Sequence, residues 1–180
     1  MEPKTVSRRS DGPVLALRAK LSGFCEGTPI VTRDGLLPIE HLHIGDKLVT
    51  RRAGLQALAW IEALFVTTFA VAVAPGAMGA GKPESEIMLP EGQRFLIRDW
   101  RAEALYGGQA VGVPAWRLAD GTSLRRLGPR TMRIFRLGFE RQEVIYSGGL
   151  QLLAQTKRFT VPQPRSRAER AAASPASLRR

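Results

Sequence analysis

Cys25 is the single cysteine of this 180-residue chain and therefore its only candidate thiol nucleophile. A cysteine attacks a carbonyl as the thiolate, and a thiol with an ordinary pKa of about 8.5 is only slightly ionised at neutral pH. Activation needs a neighbouring base, and Glu26 is the one such group next to it in the sequence. The pattern leaves two interpretations, a nucleophile or a small packed thiol, and it favours the packed thiol.

The two histidines, His41 and His43, stand on either side of Leu42. Residues two apart share a face of a strand. A metal centre needs further ligands at suitable spacing, and the sequence offers no histidine or cysteine cluster to supply them. We therefore interpret both histidines as surface residues and expect neither a metal nor another cofactor.

The net charge of +11 is concentrated at the two ends of the chain. Residues 1–20 contain five basic and two acidic residues, and residues 157–180 contain seven and one, so that the rest contributes only +2. Basic ends can bind nucleic acid or an anionic surface, or serve as solvated, solubilising segments. Phe159 is the one aromatic residue among the basic residues of 157–180, where a stacking platform would need several.

Neither a targeting signal nor a membrane span is predicted. The apolar stretch at residues 13–17 is too short for a secretory signal, so we expect a cytoplasmic protein, with leaderless secretion as the alternative. Residues 58–74 are apolar, but Glu62, two threonines and the short length argue against a transmembrane segment. Their β-branched and aromatic content predicts two buried strands with a break between them.

Frequent turn signals separate short apolar runs, which is typical of an all-β domain. The Asp34-Gly35 pair predicts a hairpin. The alanine- and leucine-containing stretch 100–106 predicts one short helix. Strands are predicted at residues 29–32, 47–50, 87–89, 94–97, 132–137 and 143–146.

Four short motifs follow one another near the beginning of the chain: Gly27-Thr28, Asp34-Gly35, Pro38-Ile39-Glu40 and Gly45-Asp46. Further segments continue the pattern in order, at residues 59–61, 74–79, 88–97 and 139–144. This series resembles a Hedgehog/intein (Hint) domain of the bacterial type. The resemblance implies a compact, mostly β, disk-like domain.

This resemblance also sets the expected domain boundaries. We expect the Hint-like domain over residues 22–156, preceded by a loose N-terminal arm over residues 1–21. Proline, serine and arginine dominate residues 157–180, for which we expect a basic disordered tail.

The resemblance further implies a chemistry, because Hint domains that process themselves use an N–S acyl shift. The thiolate of the first residue attacks the preceding carbonyl, and a histidine protonates the leaving amide nitrogen. In this sequence the nucleophile position corresponds to Gly23, and the two histidine positions correspond to Gln93 and Gln142. Glycine has no side chain, and a glutamine amide cannot carry a proton near neutral pH.

The resemblance therefore implies a degenerate Hint domain, a pseudoenzyme that serves as a structural or interaction module for an unidentified protein partner, and we expect a monomer. Gln93 and Gln142 would be polar spacers, or alternatively an amide pair that polarises a carbonyl. One alternative function is self-cleavage with Cys25 as a displaced nucleophile, about 7 Å further along a strand. Another is nucleic-acid association through the basic ends.

Overall fold

The computed structural model describes residues 21–155, and within this range the protein is mostly β, as predicted. Two short helices, α1 (Trp100–Tyr106) and α2 (Ala115–Leu118), and a 3-10 turn (Ile39–His41) interrupt the strands. The strands are β1 Phe24–Cys25, β2 Pro29–Thr32, β3 Gly35–Pro38, β4 Lys47–Thr50, β5 Gly54–Ala57, β6 Trp60–Val73, β7 Ile87–Pro90, β8 Arg94–Ile97, β9 Val111–Pro114, β10 Leu124–Gly138, β11 Val144–Ser147 and β12 Leu150–Leu153.

The strands form two antiparallel sheets. One has the order β1-β10-β6-β7, and the other follows β3-β2-β4-β11-β12-β8-β9, with β5 also paired to β4. The predicted Asp34-Gly35 hairpin joins β2 to β3, and Gly35 has the positive φ that this turn requires. Both sheets contribute to one hydrophobic core, which includes Phe24, Ile30, Leu48, Leu89, Phe95, Leu137, Ile145 and Leu152.

The prediction of two strands with a break within residues 58–74 is wrong, because Trp60–Val73 is one continuous strand. β10 pairs with β6 from one end to the other, with one register shift between Leu127 and Pro129, and supplies hydrogen bonds that a break would leave open. The two threonines that argued against a transmembrane segment belong to the ladder: the Thr67 hydroxyl lies 2.8 Å from that of Thr131, and Thr68 is buried.

Helix α1 has the predicted bounds, but the prediction of a single helix missed α2. Four residues carry too little local preference to predict a helix. Tertiary contacts hold this one: the Ala115 N–H donates to the Gln93 carbonyl at 2.8 Å, and the Trp116 N–H donates to that of Glu91 at 3.1 Å. Helix α2 thereby fixes the turn between β7 and β8.

The expectations of a loose arm and a basic disordered tail concern residues outside the described range, apart from Leu21. Of residues 21–155, none belongs to a helix long and apolar enough to cross a membrane.

Candidate site at the Ser22–Gly23 peptide bond

Gln93 binds the amide of the peptide bond between Ser22 and Gly23. Its Oε1 accepts a hydrogen bond from the Gly23 N–H at 2.9 Å, and its Nε2 donates to the Leu153 carbonyl at 3.0 Å and to that of Arg94 at 3.3 Å. One partner is an obligatory donor and the others are acceptors, so only one orientation of the amide satisfies them all. Gln93 is 1% exposed, and the contact excludes solvent.

The turn between β7 and β8 holds Gln93 in this position. Its N–H donates to the Pro90 carbonyl at 2.9 Å, and its own carbonyl accepts from Ala115. The N–H and the carbonyl of Gln93 are therefore both hydrogen-bonded, which fixes the backbone at this residue. From this fixed position the side chain extends to the segment that leads into β1.

A second glutamine, Gln155, binds the other half of the same peptide unit. Its Nε2 donates to the Ser22 hydroxyl at 2.8 Å and more weakly to the Ser22 carbonyl at 3.4 Å. Its backbone N–H donates to the Leu137 carbonyl at 3.1 Å, which ties this end of the chain to β10. No motif in the sequence pointed to Gln155, because its role depends on a contact with Ser22, 133 positions away.

Arg136 orients Gln155. One guanidinium nitrogen donates to Gln155 Oε1 at 2.7 Å, and the other terminal nitrogen donates to Glu62 Oε1 at 3.0 Å. The Arg136 side chain is 3% exposed. Burial lowers the pKa of Arg136, and the negative charge of Glu62 acts in the opposite direction. The result is a chain of polar contacts that runs from Glu62 through Arg136 and Gln155 to Ser22.

Gly23 lies too close to β10 to carry a side chain in this arrangement. A Cβ atom at this position would stand 2.8 Å from the Phe135 carbonyl oxygen and 3.4 Å from Cγ of Arg136. The nearer atom belongs to the backbone, so β1 or β10 would have to move. This is the position to which the resemblance assigns the nucleophile.

Cys25 is buried, with 5% of its surface exposed, and its Sγ lies 3.4 Å from Sδ of Met132. Burial raises the pKa of its thiol to about 12, although the nearby charge of Arg130 acts to lower it. The neighbouring carboxylate of Glu26 accepts a hydrogen bond from Arg133 at 2.7 Å. The thiol is therefore protonated at neutral pH, and the one adjacent base is engaged elsewhere.

Gln142 lies at the surface in the connection between β10 and β11, whereas Gln93 is buried. No hydrogen bond within residues 21–155 joins the two amides. Gln155 is the glutamine that accompanies Gln93 at the Ser22–Gly23 bond.

Gly27 and Thr28 form the turn that follows β1. Gly27 has a φ of +79°, and its N–H donates to the Glu40 carboxylate at 2.8 Å. The Thr28 hydroxyl donates to the Cys25 carbonyl at 2.6 Å. Gly27 and Thr28 therefore shape the turn between β1 and β2. The hydrogen bonds to the Ser22–Gly23 peptide unit come from Gln93 and Gln155.

Gly45 and Asp46 form the turn that leads into β4. Gly45 has a φ of +97°, and the Asp46 carboxylate accepts a hydrogen bond from the His43 N–H at 2.7 Å. His41 and His43 are both exposed, as predicted. Within the described range, no group of three or more His, Cys, Asp or Glu side chains is placed to hold a metal ion.

The described residues form a domain of two antiparallel sheets in which the peptide bond that precedes β1 is held beside the buried side chain of Gln93. A family model described as a Hint domain matches residues 22–153. The chain belongs to the Hint domain family. No curated protein matches it.

Solved structures of intein-like domains share this fold. The bacterial intein-like domain from Clostridium thermocellum superposes with a TM-score of 0.52 at 15% identity, over 76% of this chain and 99% of that domain. The Msm DnaB1 intein splicing domain bound with zinc gives 0.50 at 13% identity, over 73% and 99%. At these identities the likeness establishes the fold alone.

Proposed function

We propose that this Hint domain keeps the peptide bond at the family's cleavage position intact and uses it to attach its N-terminal segment. The domain then acts as a structural or interaction module. The observation that carries this proposal is the 2.9 Å hydrogen bond from the Gly23 N–H to Gln93 Oε1.

The first argument concerns the nucleophile. An acyl shift requires a thiol or hydroxyl next to the bond that breaks, in its reactive ionised form or beside a base. Gly23 supplies no such group, and the Cys25 thiol is buried with a pKa of about 12. The geometry therefore supports retention of the bond better than the alternative of cleavage by Cys25.

The second argument concerns the leaving group. An amide nitrogen leaves only when it is protonated as the bond breaks. Gln93 presents a hydrogen-bond acceptor to the Gly23 N–H. An acceptor in this position does not draw electron density away from the peptide bond, and it supplies no proton to the nitrogen of that bond. The donor group of Gln93 faces the Leu153 carbonyl instead.

The third argument concerns attachment. Gln93 binds the N–H of the Ser22–Gly23 peptide unit, and Gln155 contacts its carbonyl and the Ser22 hydroxyl. Hydrogen bonds in a buried setting are costly to break without replacement. Two separate elements thus hold the point at which the N-terminal segment joins the domain.

The intact mass of the full chain, followed over time with and without a thiol or hydroxylamine, tests the proposal. We expect an unchanged mass in the wild type and in Cys25→Ala, with circular dichroism showing that both are folded. Loss of residues 1–24 in the wild type alone would establish Cys25 as a working nucleophile. Cleavage after Ser22 in both proteins would show that the held bond is nevertheless broken.

A further inference from the structure

The long strand β6 extends well beyond its neighbour β7. The pairing of β7 with β6 begins at Ala70, and Glu91 adds one more contact, because its N–H donates to the Phe69 carbonyl at 3.0 Å. Within residues 21–155, no strand lies beside the preceding part of β6 on the side away from β10. The first part of β6 is therefore an edge strand.

Four residues of β6 direct their backbone groups towards this edge. In an antiparallel strand, the N–H and C=O groups of successive residues point alternately to one side and to the other. The Phe69 carbonyl faces β7, so the odd-numbered residues before it face the same side: Ile61, Ala63, Phe65 and Thr67. No hydrogen bond within residues 21–155 engages the N–H or C=O groups of these four. We name them the open edge of β6, and a row of unpaired backbone groups of this kind is a template for another strand.

The side chains along the open edge are uncharged and mostly exposed. Phe65 has 76% of its surface exposed, the largest value among the large hydrophobic side chains of the described residues. Ala63 and Thr67 are exposed as well. Glu62 is the one charged residue of β6, and Arg136 binds its carboxylate at 3.0 Å. An exposed edge without free charge has no electrostatic barrier to the approach of another strand.

The opposite edge of the β6–β10 ribbon, on β10, carries features that prevent such pairing. It has a bulge between Leu127 and Pro129, and proline has no N–H to donate. Arg130 is exposed next to the bulge, and the Arg133 carbonyl accepts a hydrogen bond from the Glu26 N–H at 3.2 Å. Bulges, prolines and charged side chains are the usual protection of sheet edges against association. Among the described residues, only the β6 edge of this ribbon lacks that protection.

We propose that two copies of this chain pair antiparallel through the open edge of β6, about a two-fold axis beside Leu64. The open edge is centred on Leu64, so this register matches all of its residues. Phe65 lies opposite Ala63 of the partner subunit, and Thr67 lies opposite Ile61 of the partner subunit. The N–H and C=O groups of the open edge are then all hydrogen-bonded between the two copies. This inference goes beyond the proposed function, because it identifies a second copy as a partner and does not depend on the fate of the Ser22–Gly23 bond.

The ends of the open edge leave room for a second strand of this length. In the proposed register Trp60 of the partner subunit, where its strand begins, lies opposite Thr68. The added strand therefore ends before the hydrogen bond between Glu91 and Phe69. The Ala59 N–H donates to a β10 carbonyl at 3.0 Å, so the chain that leads into β6 is drawn towards β10 and away from the open edge.

The side chains also match in this register. Phe65 lies diagonally across from Phe65 of the partner subunit, at a separation that aromatic side chains bridge. Glu62 lies opposite Val66 of the partner subunit, so the two copies of this carboxylate do not face each other. The expectation of a monomer rested on the sequence alone, which does not show which edge of a strand is paired.

Analytical ultracentrifugation of the full chain over about a hundredfold range of concentration tests the proposal. A short strand pairing makes a small interface, so we expect a reversible dimer with a dissociation constant in the micromolar range. F65K should weaken the dimer by about tenfold or more, because it removes the aromatic contact and brings two positive charges together. W100K is the matched control: Trp100 is an aromatic residue of α1 with 75% of its surface exposed, and its replacement should leave the dissociation constant unchanged.

A second variant tests the backbone hydrogen bonds of the open edge. A63P removes an N–H that faces the open edge and leaves the hydrogen bonds between β6 and β10 in place. We expect this variant to sediment as a monomer at concentrations at which the wild type dimerises. Circular dichroism should show that it is folded.

Cysteine cross-linking in a Cys25→Ala background tests the register. Leu64→Cys places two thiols at the two-fold axis, where the Cα atoms of facing residues are about 4.5 Å apart, a distance that a disulfide spans. Thr67→Cys is the matched control on the same edge. Thr67 is six residues along the strand from its counterpart in the partner subunit, which is about 20 Å. Oxidised glutathione should therefore link the Leu64→Cys variant into a dimer and leave the Thr67→Cys variant unlinked.

Four results would overturn the proposal. A folded wild type that stays monomeric at every concentration would remove the proposed partner. Equal weakening by F65K and W100K would place the contact away from the open edge, and equal cross-linking of both cysteine variants would exclude the register. Protection of the Phe65 and Thr67 amides from hydrogen exchange that does not change with concentration would show that another segment of the same chain covers the open edge.

Discussion

Gln93 Oε1 lies 2.9 Å from the backbone nitrogen of Gly23, a residue 70 positions earlier in the chain. The resemblance to Hint domains assigns the nucleophile to one of these positions and a histidine to the other. The two positions are thus in direct contact even though glycine and glutamine occupy them. The contact depends on the backbone of Gly23 and needs no side chain there.

Replacement of Gln93 by leucine should destabilise the protein by about 2–4 kcal/mol. Leucine fills a similar volume but leaves the Gly23 N–H and the Leu153 carbonyl without their buried partner. Urea unfolding measures the difference in free energy. The amide of Gly23 should also lose its protection from hydrogen exchange in this variant.

Gln56→Leu is the matched control for this substitution. Gln56 also donates to two backbone carbonyls, those of Ala53 and Leu55, but these bonds are exposed to solvent. Water replaces them at little cost, so a change below about 1 kcal/mol is expected. Equal stability of Gln93→Leu and the wild type would contradict the assigned role of Gln93.

Gly23→Ala should destabilise the protein by about 1–3 kcal/mol, because the new Cβ would stand 2.8 Å from a backbone oxygen of Phe135. Gly128→Ala is the control, since a Cβ at that position meets no atom within 4 Å. Loss of glycine's freedom in the unfolded chain should leave this control neutral or slightly more stable. Chemical denaturation of both variants measures their unfolding midpoints. Equal midpoints for Gly23→Ala and Gly128→Ala would refute the prediction.

Local sequence signals were sufficient for much of the fold. The hairpin at Asp34-Gly35 and the helix Trp100–Tyr106 were predicted correctly because turn chemistry and helix preference act over a few residues. The length of β6 was not predicted correctly, because the continuity of this strand depends on pairing with β10. β10 begins about fifty residues after the end of β6. Helix α2 was missed for a related reason, since contacts with the β7–β8 turn hold it.

The candidate site was predictable only in part. The family motifs directed attention to Gly23 and Gln93, which the structure brings into contact. They gave no indication of Gln155 or of Arg136, which lie outside the motifs and act through side-chain contacts across the fold. The histidine-equivalent Gln142 is instead exposed between β10 and β11. A motif places a residue in a sequence, whereas hydrogen-bond partners depend on the packing of distant elements.

Cys25 should react slowly with iodoacetamide in the folded protein at neutral pH. Burial raises the pKa of its thiol to about 12, so the reactive thiolate is scarce, and access is limited as well. Mass spectrometry of native and urea-unfolded samples measures the two rates. Equal rates in both states would contradict the buried, protonated thiol.

The same raised pKa predicts a loss of stability at high pH. The folded state holds the proton on Cys25 more tightly than the unfolded state, in which an ordinary thiol ionises at about pH 8.5. The contribution of the protonated Cys25 thiol to the free energy of unfolding is therefore fully present below about pH 8.5, and it declines as the pH rises towards 12. The difference in unfolding free energy between the wild type and Cys25→Ala should shrink over this interval, and a constant difference would count against the assignment.

Arg136→Met should destabilise the protein by about 2–4 kcal/mol, less than the loss of a fully buried ion pair, because the Glu62 side chain is 25% exposed. Methionine retains much of the apolar stem, but the Glu62 carboxylate and the Gln155 Oε1 lose their buried donor, and Gln155 is no longer directed towards Ser22. The matched control is Arg125→Met, since the ion pair of Arg125 with Glu86 is half-exposed on both sides and should contribute at most about 1 kcal/mol.

A second substitution separates the lost charge pair from the lost positioning of Gln155. In the double variant Glu62→Gln/Arg136→Met the stranded carboxylate is removed, so part of the unfolding free energy should return. Gln155 still lacks its partner in that variant, and the protection of the Gly23 amide from hydrogen exchange should remain lower than in the wild type. If the double variant regained both stability and protection, Arg136 would serve only to neutralise Glu62. If it regained neither, the contact with Gln155 would account for most of the effect of Arg136.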